Sequence, residues 1–469
     1  MRSWILLMLL DRLKEIVGPA GWESDPDTLQ PQLTEWRGVY HGTTPLLVAP
    51  CSTAEVAAVV RACASARTAI VAQGGNTGLC GGAIPDNSGT QILLSLSRMN
   101  KVRSIEANDF SMVAEAGCVL ADIQSRARAA GRLFPLSLAA EGSSQIGGNI
   151  STNAGGTNVL KYGTARAQVL GLEVVLADGT VWDGIRSLRK DTAGYDIKQL
   201  FIGAEGTLGI ITAASLRLFP LPPESQTALV AVASADEAVS LLAELRIALA
   251  DQIEAFELMP ARALRFVTRH ISGTRAPFER EHPWYVLIDC SSAEKTQRFL
   301  SVLMGSIEAG RVIDAVVASN AREAAEFWRL RHAISEAQKH EGASLKHDIS
   351  VPVGQIGRFI RAAESAVHQI MPEARVVAFG HVGDGNVHFN ISQPKGVSAA
   401  EFTSAAAALS DAVHSVTRSF NGSISAEHGI GQAKRELLQR HRSPTELALM
   451  RTVKRALDPE NIMNPGKVL

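Results

Sequence analysis

The sequence predicts an α+β protein of more than one domain, and three observations carry that reading. Short apolar strands alternate with short helices from Leu47 onward. Three tracts crowded with glycine interrupt the first half of the chain, too rich for ordinary strand or helix interiors. After the stretch Pro220-Leu221-Pro222-Pro223, strand and helix begin to alternate again, the pattern of an antiparallel sheet covered on one face. With 469 residues the chain has room for two or three such units, each with its own core.

Taken in order, Trp4 to Leu10 is an apolar run, far short of the roughly 20 residues that span a bilayer. No small-residue cleavage pattern follows it. Leu10, Leu13, Ile16 and Val17 continue at helical spacing, so one amphipathic helix is expected, with contact to a membrane surface as the alternative. Residues 22–46 read as a turn-rich arm. Leu47-Val48-Ala49 is a strand ended by Pro50. Ser52 then caps a helix with Glu55 three residues on, and Val56, Val59 and Val60 form its apolar face. Residues 69–72 are a strand, and residues 172–177 and 180–182 flank a hairpin turn at Asp178-Gly179. Beyond the prolines come a strand at 228–232, a helix at 235–250 with Leu241, Leu242 and Leu245 inward, a strand at 284–289 and a helix from Ala293. The expected domains are an N-terminal helix and arm (1–45), a first domain (46–222), a second (223–420) and a C-terminal segment (421–469).

Composition removes several function classes. The net charge is −1 without a basic block, which argues against nucleic acid as a partner. The five cysteines form no CxxC pair, so neither a disulfide framework nor a cysteine–zinc site is indicated, and a reducing, cytoplasmic setting is expected.

The glycine-rich tracts are residues 73–82, 142–156 and 201–210. Small residues let backbone N–H groups approach a phosphate, so each is a candidate anion cradle. The first is neither a Rossmann fingerprint, lacking GxGxxG and a following helix, nor a Walker loop, lacking Gly-Lys-Ser/Thr.

A second chemical centre lies at Gly380-His381-Val382-Gly383-Asp384-Gly385-Asn386-Val387-His388-Phe389-Asn390. Asp384-Gly385 suits a two-residue hairpin turn, which would set His381 opposite His388. Paired residues have Cβ atoms roughly 4.5–5.5 Å apart, close enough to share a metal ion. Asn390 falls on the same face as His388. Glu427 supplies a third ligand, giving a His-His-Glu site for zinc or a similar divalent ion with an open position, and His428 is then left for proton transfer. The bland alternative is a chance pair of histidines and a surface Glu427-His428 loop. Further on, Arg331 and Ser335 share a helix face at i, i+4, and Lys346 follows on a strand. The ordinary reading of Arg331 and Lys346 is solvated surface charge.

Residues 72–85, 146–156 and 194–212, with 381–390, 427–431 and the ending at 457–467, resemble the FAD-dependent D-2-hydroxy-acid dehydrogenases of the vanillyl-alcohol-oxidase flavoprotein family. The resemblance covers nearly the whole chain after about residue 30 and implies a FAD-binding domain of two α+β subdomains plus an α+β substrate (cap) domain with an antiparallel sheet. It implies FAD contacts at Gly74, Gly75, Asn76, Thr77, Gly78 and Leu79, at Gly142, Ser143, Gly147, Gly148, Asn149, Ser151, Thr152, Asn153 and Gly155, and at Glu205, Gly206, Gly209, Ile210 and Asn464. Some relatives bind flavin through a His in the first loop. This loop has none, so non-covalent FAD is expected.

The resemblance further implies that Arg331, Ser335 and Lys346, with Asn390 and His428, hold the substrate, and that an electron-transfer flavoprotein or a quinone accepts the electrons. A homodimer is compatible with it. The expected reaction is hydride transfer from a D-2-hydroxy acid to flavin, with the metal of His381, His388 and Glu427 on the hydroxyl and His428 as base. Arg331 and Lys346 together would leave two cations uncompensated, so a dicarboxylate such as D-2-hydroxyglutarate or D-malate is expected ahead of D-lactate or glycolate. A zinc hydrolase would leave the glycine tracts unexplained, and a flavoprotein electron carrier would leave His428 idle.

Overall fold

The structure, a computed structural model, describes residues 2–222, 225–291 and 296–469. Pro223 of the proline-rich boundary and Ala293, the expected start of a helix, lie outside the described residues. The chain forms two compact units, one from Met1–Gly155, Gly163–Leu221 and Glu427–Leu469, the other from Gly156–Tyr162 and Pro222–Ala426.

The first unit opens with the helix Arg2–Val17, which buries Leu9, Leu13 and Val17 and leaves Trp4, Leu7 and Met8 exposed. No helix among the described residues is long and apolar enough to cross a membrane. The arm is more regular than expected. It carries the strand Trp22–Glu23 and the helix Pro26–Leu33, started by Asp25 accepting the Thr28 N–H at 2.9 Å. The helix Thr53–Ala66 begins as its sequence predicts: Ser52 Oγ accepts from Glu55 N at 3.2 Å while the Glu55 carboxylate accepts from Cys51 N at 2.8 Å. Its buried Val56, Val59 and Val60 join the core beneath a four-stranded sheet. In that sheet Ile70–Gln73, Ile92–Ser95 and Leu47–Val48 run parallel, and Trp22–Glu23 adds an antiparallel edge.

A second sheet in this unit is antiparallel, with the spatial order Val102–Glu106, Ser111–Glu115, Ile210–Arg217, Val169–Val175, Val181–Gly184. The hairpin at Asp178-Gly179 forms as expected, with Gly179 at φ +78°. The second glycine tract departs from expectation, because Ile146–Ser151 is a short helix containing Gly147 and Gly148. Close packing explains the glycine: a Cβ on Gly147 would sit 2.6 Å from the Ala116 methyl.

The other unit holds a four-stranded antiparallel sheet, Ile253–Pro260, Trp284–Ser291, Ser225–Val232 and Val312–Val317 in spatial order. A three-stranded antiparallel sheet, Ser344–Ser350, Asn386–Ser392 and Arg375–Phe379, joins it through a bridge between Leu258 and Gly380. Reciprocal backbone bonds of 3.0 and 3.1 Å make that bridge. The expectation of one covered face is corrected. On Ser225–Val232, Ala228, Val230 and Val232 pack into one core with the helices Ala235–Leu249 and Ile356–Ile370, while Leu229 and Ala231 pack into another with Ala261–His270 and Ala321–His332. Both parities are apolar because helices cover both faces.

Candidate functional site

In the first unit the three glycine-rich tracts meet backbone against backbone. A Cβ on Gly75 would lie 2.0 Å from Ser143 O, and one on Gly82 would lie 3.2 Å from Glu205 Oε2. The C-terminal segment joins them, since a Cβ on Gly431 would lie 2.1 Å from Cys80 O. Glu205 ties this cluster together. Its carboxylate accepts from Ile430 N at 2.7 Å and Gly431 N at 2.8 Å, and Asn464 Nδ2 donates to Glu205 O and Gly82 O at 2.8 and 2.9 Å. Burial pushes the Glu205 carboxyl up, opposed by those two N–H donors. Glu205, Asn76, Asn153 and Asn464 all have φ between +43° and +53°, a conformation most side chains avoid.

The expected FAD residues divide by their surroundings. Off Gly78, Gly142 and Gly148 a Cβ would meet nothing within 4 Å, and these backbones border open space. Gly209 is closed from behind by Val174, as Gly147 is by Ala116. Asn76 Nδ2 donates to Pro31 O and Thr34 O, Asn153 Oδ1 accepts from Arg166 N, and Thr152 Oγ1 donates to Gly148 O, so these side chains shape the loops. Asn149 is buried against Ser144, Ser151 O accepts from Glu205 N, and Leu79 O accepts from Arg37. Gln145 Oε1 and Asn464 Oδ1 are buried without a hydrogen-bond partner among the described residues. Open glycine backbone beside unsatisfied polar atoms fits a phosphate-bearing, amide-rich group such as FAD.

In the second unit the bridge between Leu258 and Gly380 sets their neighbours Glu257 and His381 side by side. Glu257 is fully buried. Its Oε1 lies 2.6 Å from His381 Nδ1, and its Oε2 accepts from Arg331 Nε at 2.7 Å. Burial raises the Glu257 carboxyl, yet the charges and hydrogen bonds of His381 and Arg331 outweigh it and hold the group at about 2. The Arg331 guanidinium lies over the Phe379 ring, 4.9 Å from its centre. Its two terminal nitrogens make no hydrogen bond among the described residues.

Several expectations are corrected here. The turn after Arg375–Phe379 spans residues 380–385 rather than two residues, with Gly380 at φ +146° and Gly385 at φ +95°. His388 therefore pairs with Phe379 on one side and with Asp348 on the other, and His381 lies in the turn. The two rings still meet edge to face, their centres 5.5 Å apart. Asp348 is the residue the sequence reading missed: its Oδ1 is 3.9 Å from His388 Nδ1, and its Oδ2 accepts from Ala426 N at 3.0 Å. The alternation in Lys346-His347-Asp348 puts Asp348 on the face of Lys346, a signal the strand pattern carried.

Arg331 and Ser335 do not share a helix face. The helix ends at His332, Arg331 is buried, and Ser335 is exposed on the next helix, Ile334–Lys339. Lys346 is exposed. Asn390 Nδ2 donates to Gln338 Oε1 at 2.7 Å inside the core. Because Glu257 already neutralises Arg331, the count of two uncompensated cations no longer argues for a second substrate carboxylate.

In the first unit, His428 Nε2 is 3.7 Å from Glu427 Oε1.

Residues 44–184 match the FAD binding domain family and residues 221–468 the C-terminal domain of FAD linked oxidases. The chain is 40% identical over 466 residues to a mitochondrial D-2-hydroxyglutarate dehydrogenase of Bos taurus, covering 97% of this chain and 82% of that protein. It is 38% identical to the mitochondrial D-2-hydroxyglutarate dehydrogenase of Arabidopsis thaliana (97% and 80% covered) and to the D-2-hydroxyglutarate dehydrogenase of Xanthomonas citri pv. viticola (97% and 96%). Among solved structures, p-cresol methylhydroxylase with bound substrate superposes with a TM-score of 0.78 at 16% identity, covering 99% of this chain and 96% of that one. The 4-ethylphenol oxidase of Gulosibacter chungangensis gives 0.74 at 17%, covering 99% and 97%. These last two share the fold. The mitochondrial relatives overturn the cytoplasmic setting expected from the cysteines, while the bacterial relative's name carries no compartment.

Proposed function

This chain belongs to the D-2-hydroxyglutarate dehydrogenases of the FAD-linked oxidases, and on that premise we propose that it oxidises D-2-hydroxyglutarate to the 2-oxo acid. The observation that carries this is the likeness to those dehydrogenases across nearly all of the chain. When bound, FAD supplies the acceptor for the two electrons released as the hydroxyl carbon becomes a carbonyl. When bound, a divalent cation, zinc among the candidates, supplies Lewis acidity toward the substrate hydroxyl.

His381, His388 and Glu427 would hold that cation, with Asp348 as a further candidate. Glu257 takes His381 Nδ1 and so leaves Nε2 as that ring's ligand atom. Ala426, fixed on Asp348, is followed directly by Glu427 and His428. His428 takes the hydroxyl proton as general base, the role an imidazole side chain most often fills. Arg331 offers its two terminal nitrogens to a carboxylate, held at fixed orientation by Glu257 and Phe379. Lys346 and Ser335, both exposed, complete the substrate set, while Asn390, tied to Gln338 in the core, supports the strand beside it. The flavin is held without a covalent bond, and an electron-transfer flavoprotein or quinone reoxidises it.

The test is anaerobic bleaching of the flavin by a panel of hydroxy acids. D-2-hydroxyglutarate should reduce it with a higher kcat/KM than D-malate, D-lactate or the L-enantiomer, and chelation should slow reduction while leaving the oxidised spectrum intact. A preference for D-lactate would overturn the substrate, and full activity in verified metal-free protein would overturn the metal.

A further inference from the structure

A cavity of about 260 Å³ lies in the first unit where its C-terminal segment folds back. The helix Pro444–Leu457 brings Arg451, Lys454 and Arg455 to its wall at i, i+3 and i+4. Arg435 comes from the start of the helix Arg435–His441. Lys467 arrives from the chain end, which Asn461, Asn464, Gly466 and Val468, all at positive φ, coil into place. Five cations line this cavity, and no Asp or Glu side chain does.

The charge is only partly met. Lys454 Nζ donates to Asp458 Oδ2 at 2.5 Å and to Thr207 O and Met463 O at 2.8 Å, and Arg435 Nε donates to Leu469 O at 2.9 Å. Lys467 is 4% exposed, and its ammonium makes no hydrogen bond or ion pair among the described residues. Arg451 and Arg455 make no ion pair among them either. Burial lowers the Lys467 pKa; nearby Asp86 opposes this and Arg435 adds to it. Asp86 offsets only part of the cost of burying the Lys467 cation, and an anion in the cavity would offset more of it.

We propose that this cavity binds a small, multiply charged oxyanion of the phosphate class. Its volume falls below the roughly 300–1,000 Å³ of pockets that enclose drug-sized ligands, so it suits a single phosphate group rather than a dinucleotide. Arginine forks and a lysine point charge are the donors that recognise such an anion. Thr207 and Asn464 also line the cavity, so the phosphate chemistry has two conceivable sources, a free anion and the pyrophosphate of FAD.

Calorimetric titration of inorganic phosphate into the FAD-loaded protein, against chloride at matched ionic strength, separates them. Saturable binding is expected, weakened about tenfold or more by Lys467→Gln and by Arg451→Gln, with flavin content per protein unchanged. Arg451 is exposed, so its variant decides the matter even where Lys467→Gln fails to fold. Absence of saturable binding overturns the site, as does an Arg451→Gln variant of unchanged affinity. Loss of flavin in step with phosphate affinity overturns it too, because it assigns the cations to the cofactor.

Discussion

In the first unit the candidate site exists where side chains are missing. Gly75 accepts Ser143 O where a Cβ would stand, Gly431 does the same for Cys80 O, and the backbone of Gly78, Gly142 and Gly148 is left bare. In the second unit the candidate site is made of side chains from far apart in the chain. Glu257, Arg331, His381, Asp348 and His388 come from three strands, one helix and one turn. At Gly75 and Gly431 the first kind of site has no room for an added atom. The second tolerates changes of shape better than changes of charge.

Breaking this contrast starts with His428→Asn. Loss of a general base should lower kcat by about 10²–10⁴-fold, read by stopped-flow flavin reduction, with flavin content unchanged. A fall of less than tenfold would remove His428 as the base.

Glu257→Gln comes next, since it keeps the shape and deletes the charge. It leaves the Arg331 cation buried without its partner, which costs about 3–5 kcal/mol where one member of a buried pair is removed. Denaturant unfolding should show that loss, and KM for D-2-hydroxyglutarate should rise as Arg331 loses its fixed orientation. An unchanged midpoint and KM would mean that Glu257 does not hold Arg331.

Gly75→Ala probes the other kind of site. One methyl directed at Ser143 O forces the first two tracts apart, at about 1–3 kcal/mol, and flavin content of the purified protein should fall. Retention of full flavin would show that the tracts can separate without harm.

Lys346→Met is the mildest. Lys346 is exposed, so roughly tenfold in kcat/KM for the dicarboxylate, with little change for D-lactate, is the expected loss. Equal losses on both substrates would remove Lys346 from recognition of the second carboxylate.

The sequence by itself determined what depends on local spacing. Ser52 and Glu55 start their helix, Asp178-Gly179 turns its hairpin, and the glycine tracts mark where backbones approach one another, because each signal is written within a few residues. The family, too, was legible from motifs of this local kind. Only the tertiary structure decided the partners of His381 and Arg331. A two-residue turn at Asp384-Gly385 is sound chemistry, but the bridge from Leu258 to Gly380 ends the strand pairing early and delivers Glu257 to His381 across 124 residues of chain. Asp348 enters opposite His388 for the same reason, since strand register is fixed by burial of the whole sheet and not by any short stretch of its sequence.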